Sequence, residues 1–317
     1  MKKLRSIAAI LVTVALIGTA VYYKYDAALA KKPEAAQTQT TSETLKIAYL
    51  PITHALPLFK AQQLLEQEGV KVELVKYGGW SELMDALNTG RVDGASVLIE
   101  MAMKAREQGI PLELALLGHK DGNVIITANA IETPEDLRGK TFAIPNTQSS
   151  HNILLQMLLE KNGLSISDVN VVEMAPAEMP SALQGGQIDG YCVAEPFGAK
   201  AVSAGIGKVF ATSETLWPES ICCGIVLNSD AVADKGAAVS AFKKAYKEAG
   251  ASLTAVESQQ IAEKYLGQNP EVSKISLQWI DFKNLDVTES AYTSLTDKIK
   301  DFGLSQAPPA YDSFVAH

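Results

Sequence analysis

Two segments far apart in the chain carry one signature. Gly90-Arg91-Val92-Asp93-Gly94-Ala95 and Gly185-Gly186-Gln187-Ile188-Asp189-Gly190-Tyr191 each follow an amphipathic stretch and open a short apolar run. In the first copy the pattern predicts a strand over 70–77, a turn at Gly78-Gly79, and a helix over 81–89 with Leu83, Ala86 and Leu87 on one face. In the second it predicts a strand over 169–174 and a helix over 177–184. A chain that uses one βαβ device twice folds into two α/β lobes. The cleft between such lobes is where small ligands bind.

The remaining periodicity fits this plan. Strands are expected over 45–50, 94–97 and 112–117, with helices over 55–67 and 99–108, an alternation that favours a parallel sheet. Residues 123–128 read as a strand running into the second lobe. There, Thr133-Pro134-Glu135-Asp136-Leu137-Arg138-Gly139-Lys140 is a capped turn with proline at its first position. A strand over 141–144, a helix over 151–162 and a strand over 207–211 follow. A strand over 221–228 returns the chain to the first lobe, and helices over 235–256, 258–266 and 288–302 are expected to wrap that lobe.

Met1-Lys2-Lys3-Leu4-Arg5 carries three positive charges, and 7–23 then runs seventeen residues without one. At about 1.5 Å per residue this run spans roughly 26 Å, slightly short of a hydrocarbon core of about 30 Å. It suits either a signal peptide cut after Ala28-Leu29-Ala30 or a tilted anchor, and export to the periplasm follows in both cases. Residues 31–44 have no apolar period and read as a disordered spacer. Net charge of −8 and the lack of a basic cluster beyond the first five residues argue against nucleic acid. Cys192, Cys222 and Cys223 are the three cysteines. A bond between the neighbours is strained, a bond to Cys192 needs adjacent strands, and the plain alternative is three buried thiols. No metal-ligand spacing is present, so neither a metal nor a cofactor is expected.

Strand ends and helix starts face the crevice of such lobes, and free N–H groups at a helix start favour an anion without a lysine. The candidate ligand residues are Thr53, His54, Trp80, Ser96, His119, Gln148, Ser149, Ser150, His151 and Glu195. Each has a plainer alternative. Ser149 and Ser150 could simply cap the helix, with His151 exposed. His54 could be a surface loop histidine, Trp80 a core residue, and the His119-Lys120-Asp121 trio part of the hinge. Glu195 at a helix start repels an anion unless paired, and could brace its lobe instead.

Three segments are similar to a known family: Leu45-Lys46-Ile47-Ala48-Tyr49-Leu50-Pro51, the Thr133–Lys140 turn, and Asp189-Gly190-Tyr191-Cys192-Val193-Ala194-Glu195-Pro196-Phe197. The chain resembles the nitrate, taurine and sulfonate family of ABC-importer substrate-binding proteins. Gly79-Trp80-Ser81-Glu82-Leu83 and Ser150-His151-Asn152-Ile153 look most like its nitrate and bicarbonate branch, in which a tryptophan and a histidine line the cleft. The residues implied are Trp80 and His151. Phe197 stands where that branch usually has tryptophan, and no lipobox cysteine is present. The resemblance implies a type II periplasmic-binding-protein fold, with a first lobe of 45–127 plus 222–317, a second of 128–221, and crossings near Ala128 and Ile221.

It also implies a monomeric, non-enzymatic receptor that carries a small oxyanion such as nitrate, bicarbonate or an alkylsulfonate to the permease of an ABC importer. It would touch the membrane only through the permease or the leading segment. One alternative is a receptor for a thiamine-pyrimidine or flavin precursor, stacked on Trp80 with Phe197 or Tyr191. The other is an enzyme of cofactor biosynthesis on the same fold, for which His151 with Cys192 is the single conceivable pair.

Overall fold

The computed structural model describes residues 44–316. The expected export segment, and the spacer up to its last residue, lie outside the described residues. Strand β1 (Leu45–Tyr49) leads to α1 (Leu56–Gln67), and β2 (Val72–Lys76), α2 (Trp80–Asn88), β3 (Gly94–Leu98), α3 (Ile99–Glu107) and β4 (Leu112–Leu117) follow. The chain then passes through β5 (Lys120–Asp121) into β6 (Asn123–Thr127). The second lobe is completed by β7 (Thr141–Ile144), α4 (Ser150–Lys161), β8 (Asn170–Glu173), α5 (Met179–Gln184), β9 (Gly190–Ala194), α6 (Phe197–Ser203) and β10 (Lys208–Thr212). After α7 (Ser213–Leu216) come β11 (Cys223–Asn228), α8 (Ser229–Asp234), α9 (Gly236–Ser252), α10 (Ala255–Leu266), α11 (Pro270–Ser276), β12 (Ile280–Asp281), α12 (Glu289–Asp301) and α13 (Tyr311–Phe314).

One sheet has the order β2-β1-β3-β11-β4 and the other, written from its opposite edge, β8-β7-β9-β6-β10. The two orders correspond strand for strand. In each, the first three strands are parallel and the fourth runs antiparallel to its neighbours. That fourth strand is in both cases the one that has just arrived from the other lobe. The first crossing therefore ends before Asn123, because β6 already pairs with β9 and β10. It lies at 118–122 rather than near Ala128. The second crossing ends at Cys222, next to the expected Ile221.

The repeated signature has a shared physical cause. Asp93 accepts a hydrogen bond from the Lys46 N–H at 2.7 Å, and Asp189 one from the Thr141 N–H at 2.9 Å. Each aspartate ties the turn after its helix to the middle one of its lobe's three parallel strands. The glycine that follows sits against packed atoms. A Cβ on Gly94 would lie 2.6 Å from Leu227 Cδ2, and one on Gly190 would overlap the Phe142 ring at Cε1. Gly90 and Gly186, which turn the chain beforehand, have φ of +69° and +66°.

Within the C-terminal region α9 packs on α1, and the Tyr246 hydroxyl donates to the Gly118 carbonyl at 3.3 Å. This part is not confined to the first lobe, since α11 packs on α6. The single helix expected over 235–256 stops at Ser252, where Leu253 turns extended and Thr254 caps α10 by accepting from the Glu257 N–H. Among the described residues no helix is long and apolar enough to cross a membrane.

Candidate functional site

The two crossings run side by side. The Gly118 N–H donates to the Cys223 carbonyl at 2.7 Å, the Asp121 N–H to the Ser220 carbonyl at 3.0 Å, and the Ser220 hydroxyl to Asp121 Oδ1 at 3.2 Å. Asp121 and Gly122 take positive φ, 54° and 79°, so the first crossing bends sharply there. This geometry sets His119 of the first crossing beside Cys222 of the second. His54, in the turn between β1 and α1, lies against His119 with ring centroids 3.5 Å apart and ring planes tilted by 38°.

The result is a compact cluster. Cys222 Sγ lies 3.9 Å from Cys223 Sγ, and Cys223 Sγ lies 3.5 Å from His54 Nδ1. One nitrogen or sulfur from each of His54, His119, Cys222 and Cys223 falls within 4.8 Å of all the others. All four side chains are fully buried. His54 Nε2 faces the Gly122 carbonyl at 3.1 Å, so this nitrogen carries the proton and Nδ1 turns its lone pair toward Cys223. No metal-ligand spacing exists in the sequence. The set forms because three distant segments converge.

His151 and Ser150, from the first turn of α4, bring the second lobe to this point. Both are fully buried, and both ring nitrogens of His151 and the Ser150 hydroxyl lack a hydrogen-bond partner. Glu100, at the start of α3 in the first lobe, is also buried with both carboxylate oxygens unpartnered. Burial pushes the Glu100 carboxyl well above its usual range, with the nearby Cys222 adding to the shift, against the pull of Ser150. Burial, then the neighbouring His119, push the His54 imidazole well below its usual value. His151 is lowered by burial and by His119. Burial raises both thiols of the pair, but the Cys223 S–H and the imidazoles of His151 and His119 draw Cys222 down, which leaves the proton on Cys223.

The other expected residues have separate places. Trp80 begins α2, is nearly buried, and has an unpartnered indole N–H. It borders a cleft of about 410 Å³ shared by Gly78, Gly79 and Ser81 of the first lobe with Pro145, Asn146 and Met174 of the second. Pro145 and Asn146 belong to the loop that leads to His151. Ser149 caps α4, accepting from the Asn152 N–H and donating to the Asn146 carbonyl at 2.5 Å. The Gln148 N–H donates to Asn146 Oδ1. The Thr53 hydroxyl is taken up by Ser276 at 2.9 Å and Gln268 at 3.1 Å. Ser96 lies inside β3 opposite Ile225.

Glu195 is fully buried and accepts from the Ala199 N–H at 3.2 Å, while its carbonyl accepts from the Thr53 N–H at 2.9 Å across the lobes. Burial pushes its carboxyl up to about 8, against the N–H groups of Ala199 and Gly198 and the Ser276 hydroxyl. Both plainer histidine alternatives are overturned, since neither His54 nor His151 is exposed.

The three cysteines are free. Cys192 belongs to β9 and Cys223 to β11, in different sheets, so no bond joins them. Tyr191 is buried with its hydroxyl donated to the Phe197 carbonyl at 2.9 Å, and Phe197 is buried too, which leaves Trp80 without a stacking partner from that pair. Sequence reasoning missed Glu100, Cys222 and Cys223 as site residues. The adjacent cysteines at the mouth of a returning strand were the available signal.

Residues 38–267 match the model of the NMT1-like family. The structure superposes with a TM-score of 0.83 on a ligand-binding component of an ABC-type import system from Staphylococcus aureus, determined with zinc bound, at 37% identity over 86% of this chain and 96% of that one. It is 29% identical over 56% of its length to the nitrate import ATP-binding protein NrtC of Synechocystis, and 31% identical over 56% to the taurine-binding periplasmic protein of Escherichia coli. The chain spans 30% of the first of these relatives and 52% of the second. Its two-lobed architecture is that of periplasmic binding proteins, and with the family match across most of its length, this chain belongs to the NMT1-like family.

Proposed function

We propose that this chain is an extracytoplasmic receptor that captures a small solute between its lobes and delivers it to the membrane permease of an ABC importer. One observation carries the reading. Buried polar groups of His119, His151, Ser150 and Glu100, contributed by both lobes and a crossing, collect at one place, and the ring nitrogens of both histidines are unpartnered there. A buried polar group left unpaired costs about 1–3 kcal/mol, so such a collection is justified by a ligand that satisfies it. Binding rather than catalysis is the role, because the relatives compared are binding and import components and no hydrogen bond joins His151 to Cys192, the one pair the enzyme alternative offered. Cys192 lies deep in β9, and His151 is turned toward Cys222 and His119.

The relatives put nitrate, taurine and zinc in play. An oxyanion finds neutral donors here, namely the first-turn N–H groups of α4, the Ser150 hydroxyl and the Trp80 indole. It finds no buried lysine or arginine among the described residues, and two thiols and a carboxyl group share the space. Thermal unfolding of the full chain against nitrate, bicarbonate, taurine, alkylsulfonates and divalent metal ions tests the receptor reading. A solute at about a hundred times its Kd adds about 2.7 kcal/mol. A response to an oxyanion is expected to vanish in Trp80→Ala and His151→Ala. Stabilisation by none of these solutes would remove the basis for a receptor.

A further inference from the structure

We infer that the solute held at the crossings is a thiophilic, tetrahedral transition-metal ion, bound by His54, His119, Cys222 and Cys223. The inference deepens the receptor reading and rests on it. Its first support is distance. With sulfur at about 2.3 Å and nitrogen at about 2.0–2.1 Å from a zinc-class ion, a tetrahedron places two sulfurs roughly 3.8 Å apart and a sulfur and a nitrogen roughly 3.5 Å apart. The sulfurs of Cys222 and Cys223 are 3.9 Å apart, and Cys223 Sγ is 3.5 Å from His54 Nδ1. The remaining pairs lie within 4.8 Å, so the donors draw together by up to about 1 Å to close on the ion.

Orientation is the second support. A ligating imidazole normally donates its other N–H to a carbonyl or carboxylate, which fixes the tautomer and aims the free lone pair. His54 is held in this way by the Gly122 carbonyl. His119 has two unpartnered nitrogens in a fully buried position, one of which a metal bond satisfies. Charge is the third. Two thiolates and two neutral imidazoles around a dipositive ion leave no net charge in a buried site, and the proton held by Cys223 leaves to solvent on binding. Thiolate and imidazole donors select zinc-class ions over magnesium or calcium.

Placement makes the ion cargo rather than a structural staple. His119 and Cys222 lie on the two crossings, and His151 of the second lobe abuts both. An ion held there is reached by parting the lobes and enclosed by closing them.

The test uses the full chain, stripped with a chelator and titrated with Zn2+ and Co2+. The expected result is one ion per chain, a zinc absorption-edge signature of two sulfur and two nitrogen neighbours, and a thiolate-to-cobalt charge-transfer band in the near ultraviolet. Cys222→Ser and Cys223→Ser should each weaken binding at least a hundredfold and diminish the band, whereas Cys192→Ser should leave both intact. Circular dichroism of the stripped protein should match that of the loaded protein. An oxygen-only shell, unaltered affinity in both cysteine variants, or unfolding on removal of the ion would overturn the inference. Stabilisation by nitrate or taurine with no metal uptake would also overturn it while leaving the receptor reading in place; failure of every solute would remove both.

Discussion

His54 Nδ1 and Cys223 Sγ, 169 positions apart in the sequence, approach to 3.5 Å because the Gly122 carbonyl holds the opposite edge of the imidazole. A loop of the first lobe, the first crossing and the start of β11 are thus joined through one ring. Neither crossing can shift without turning that ring.

Gly122→Ala tests this coupling. Gly122 has φ of +79°, and a Cβ there would meet Ile280 of β12 at 2.9–3.0 Å. Alanine adds strain of about 1–3 kcal/mol and displaces the carbonyl that orients His54. Chemical denaturation should show a loss in that range, and solute affinity should fall with it. Unchanged stability and affinity would mean that the crossing tolerates another path.

The duplicated aspartates should differ in cost. Asp93 is the more buried of the two, and its carboxylate takes the Lys235 ammonium at 2.8 Å as well as the Lys46 N–H, whereas Lys140 stands 3.6 Å from Asp189. Asp93→Ala strips a strand N–H of its acceptor and leaves the partly buried Lys235 ammonium only the Thr44 carbonyl, at about 2–3 kcal/mol; Asp189→Ala should cost about 1–2 kcal/mol. The sites belong to separate lobes, so the double variant should lose nearly the sum. Urea titration of the three variants measures all of these. Equal single losses would show that the lysine contact adds nothing.

How much of this was legible in the sequence follows from which interactions are local. The repeated glycine-aspartate-glycine turns exposed both βαβ units because the positive-φ glycines Gly90 and Gly186 and the apolar runs after them are local signals, although each aspartate bonds back across 47 or 48 positions. Most helix starts were legible to within a residue or two because capping is local, as Ser149 shows, although the helix expected from 258 starts at Ala255. The boundary of the first crossing was not. Whether β6 belongs to one sheet or the other depends on pairing with β9 and β10, and its apolar run fits either. The cluster of His54, His119 and the two cysteines was hidden for a deeper reason. Its ligands come from three segments whose meeting is a property of the crossings, and no spacing rule reports that. Glu100 was overlooked because a glutamate at a helix start ordinarily faces water.

The two glycine contexts around the repeat give opposite expectations for one substitution. Gly190→Ala drives a Cβ into the Phe142 ring and to 2.8 Å from the Ile126 carbonyl oxygen, in the middle of the second sheet. Overpacking of this kind costs about 1–3 kcal/mol or more. At Gly79 a Cβ meets nothing within 4 Å, and the backbone is extended, with φ of −146°. Gly79→Ala should therefore change stability by no more than about 0.5 kcal/mol. It adds a methyl group beside Trp80 at the cleft, so any effect should fall on solute affinity. Comparing Tm with affinity for both variants separates packing from access. A stability loss at Gly79 as large as at Gly190 would contradict the open cleft.

Glu195 predicts a pH dependence whose sign is fixed by burial. An unfolded glutamate titrates near 4.5, and in the folded protein burial pushes this carboxyl up to about 8. The native state therefore binds the proton more tightly than the unfolded chain does. Its contribution is fully present below about 4.5 and is lost as the pH rises through about 8. Glu195→Gln cannot ionise and keeps an amide in the same space, with its carbonyl able to accept from the Ala199 N–H. The variant should match the wild type near pH 5 and exceed it by about 2–4 kcal/mol near pH 9, since each tenfold difference in proton affinity between the folded and unfolded chain is worth about 1.4 kcal/mol. Denaturant midpoints across this range decide the matter. Parallel curves for the two proteins would mean that Glu195 is already ionised at neutral pH, and that a cation approaches it in the folded chain.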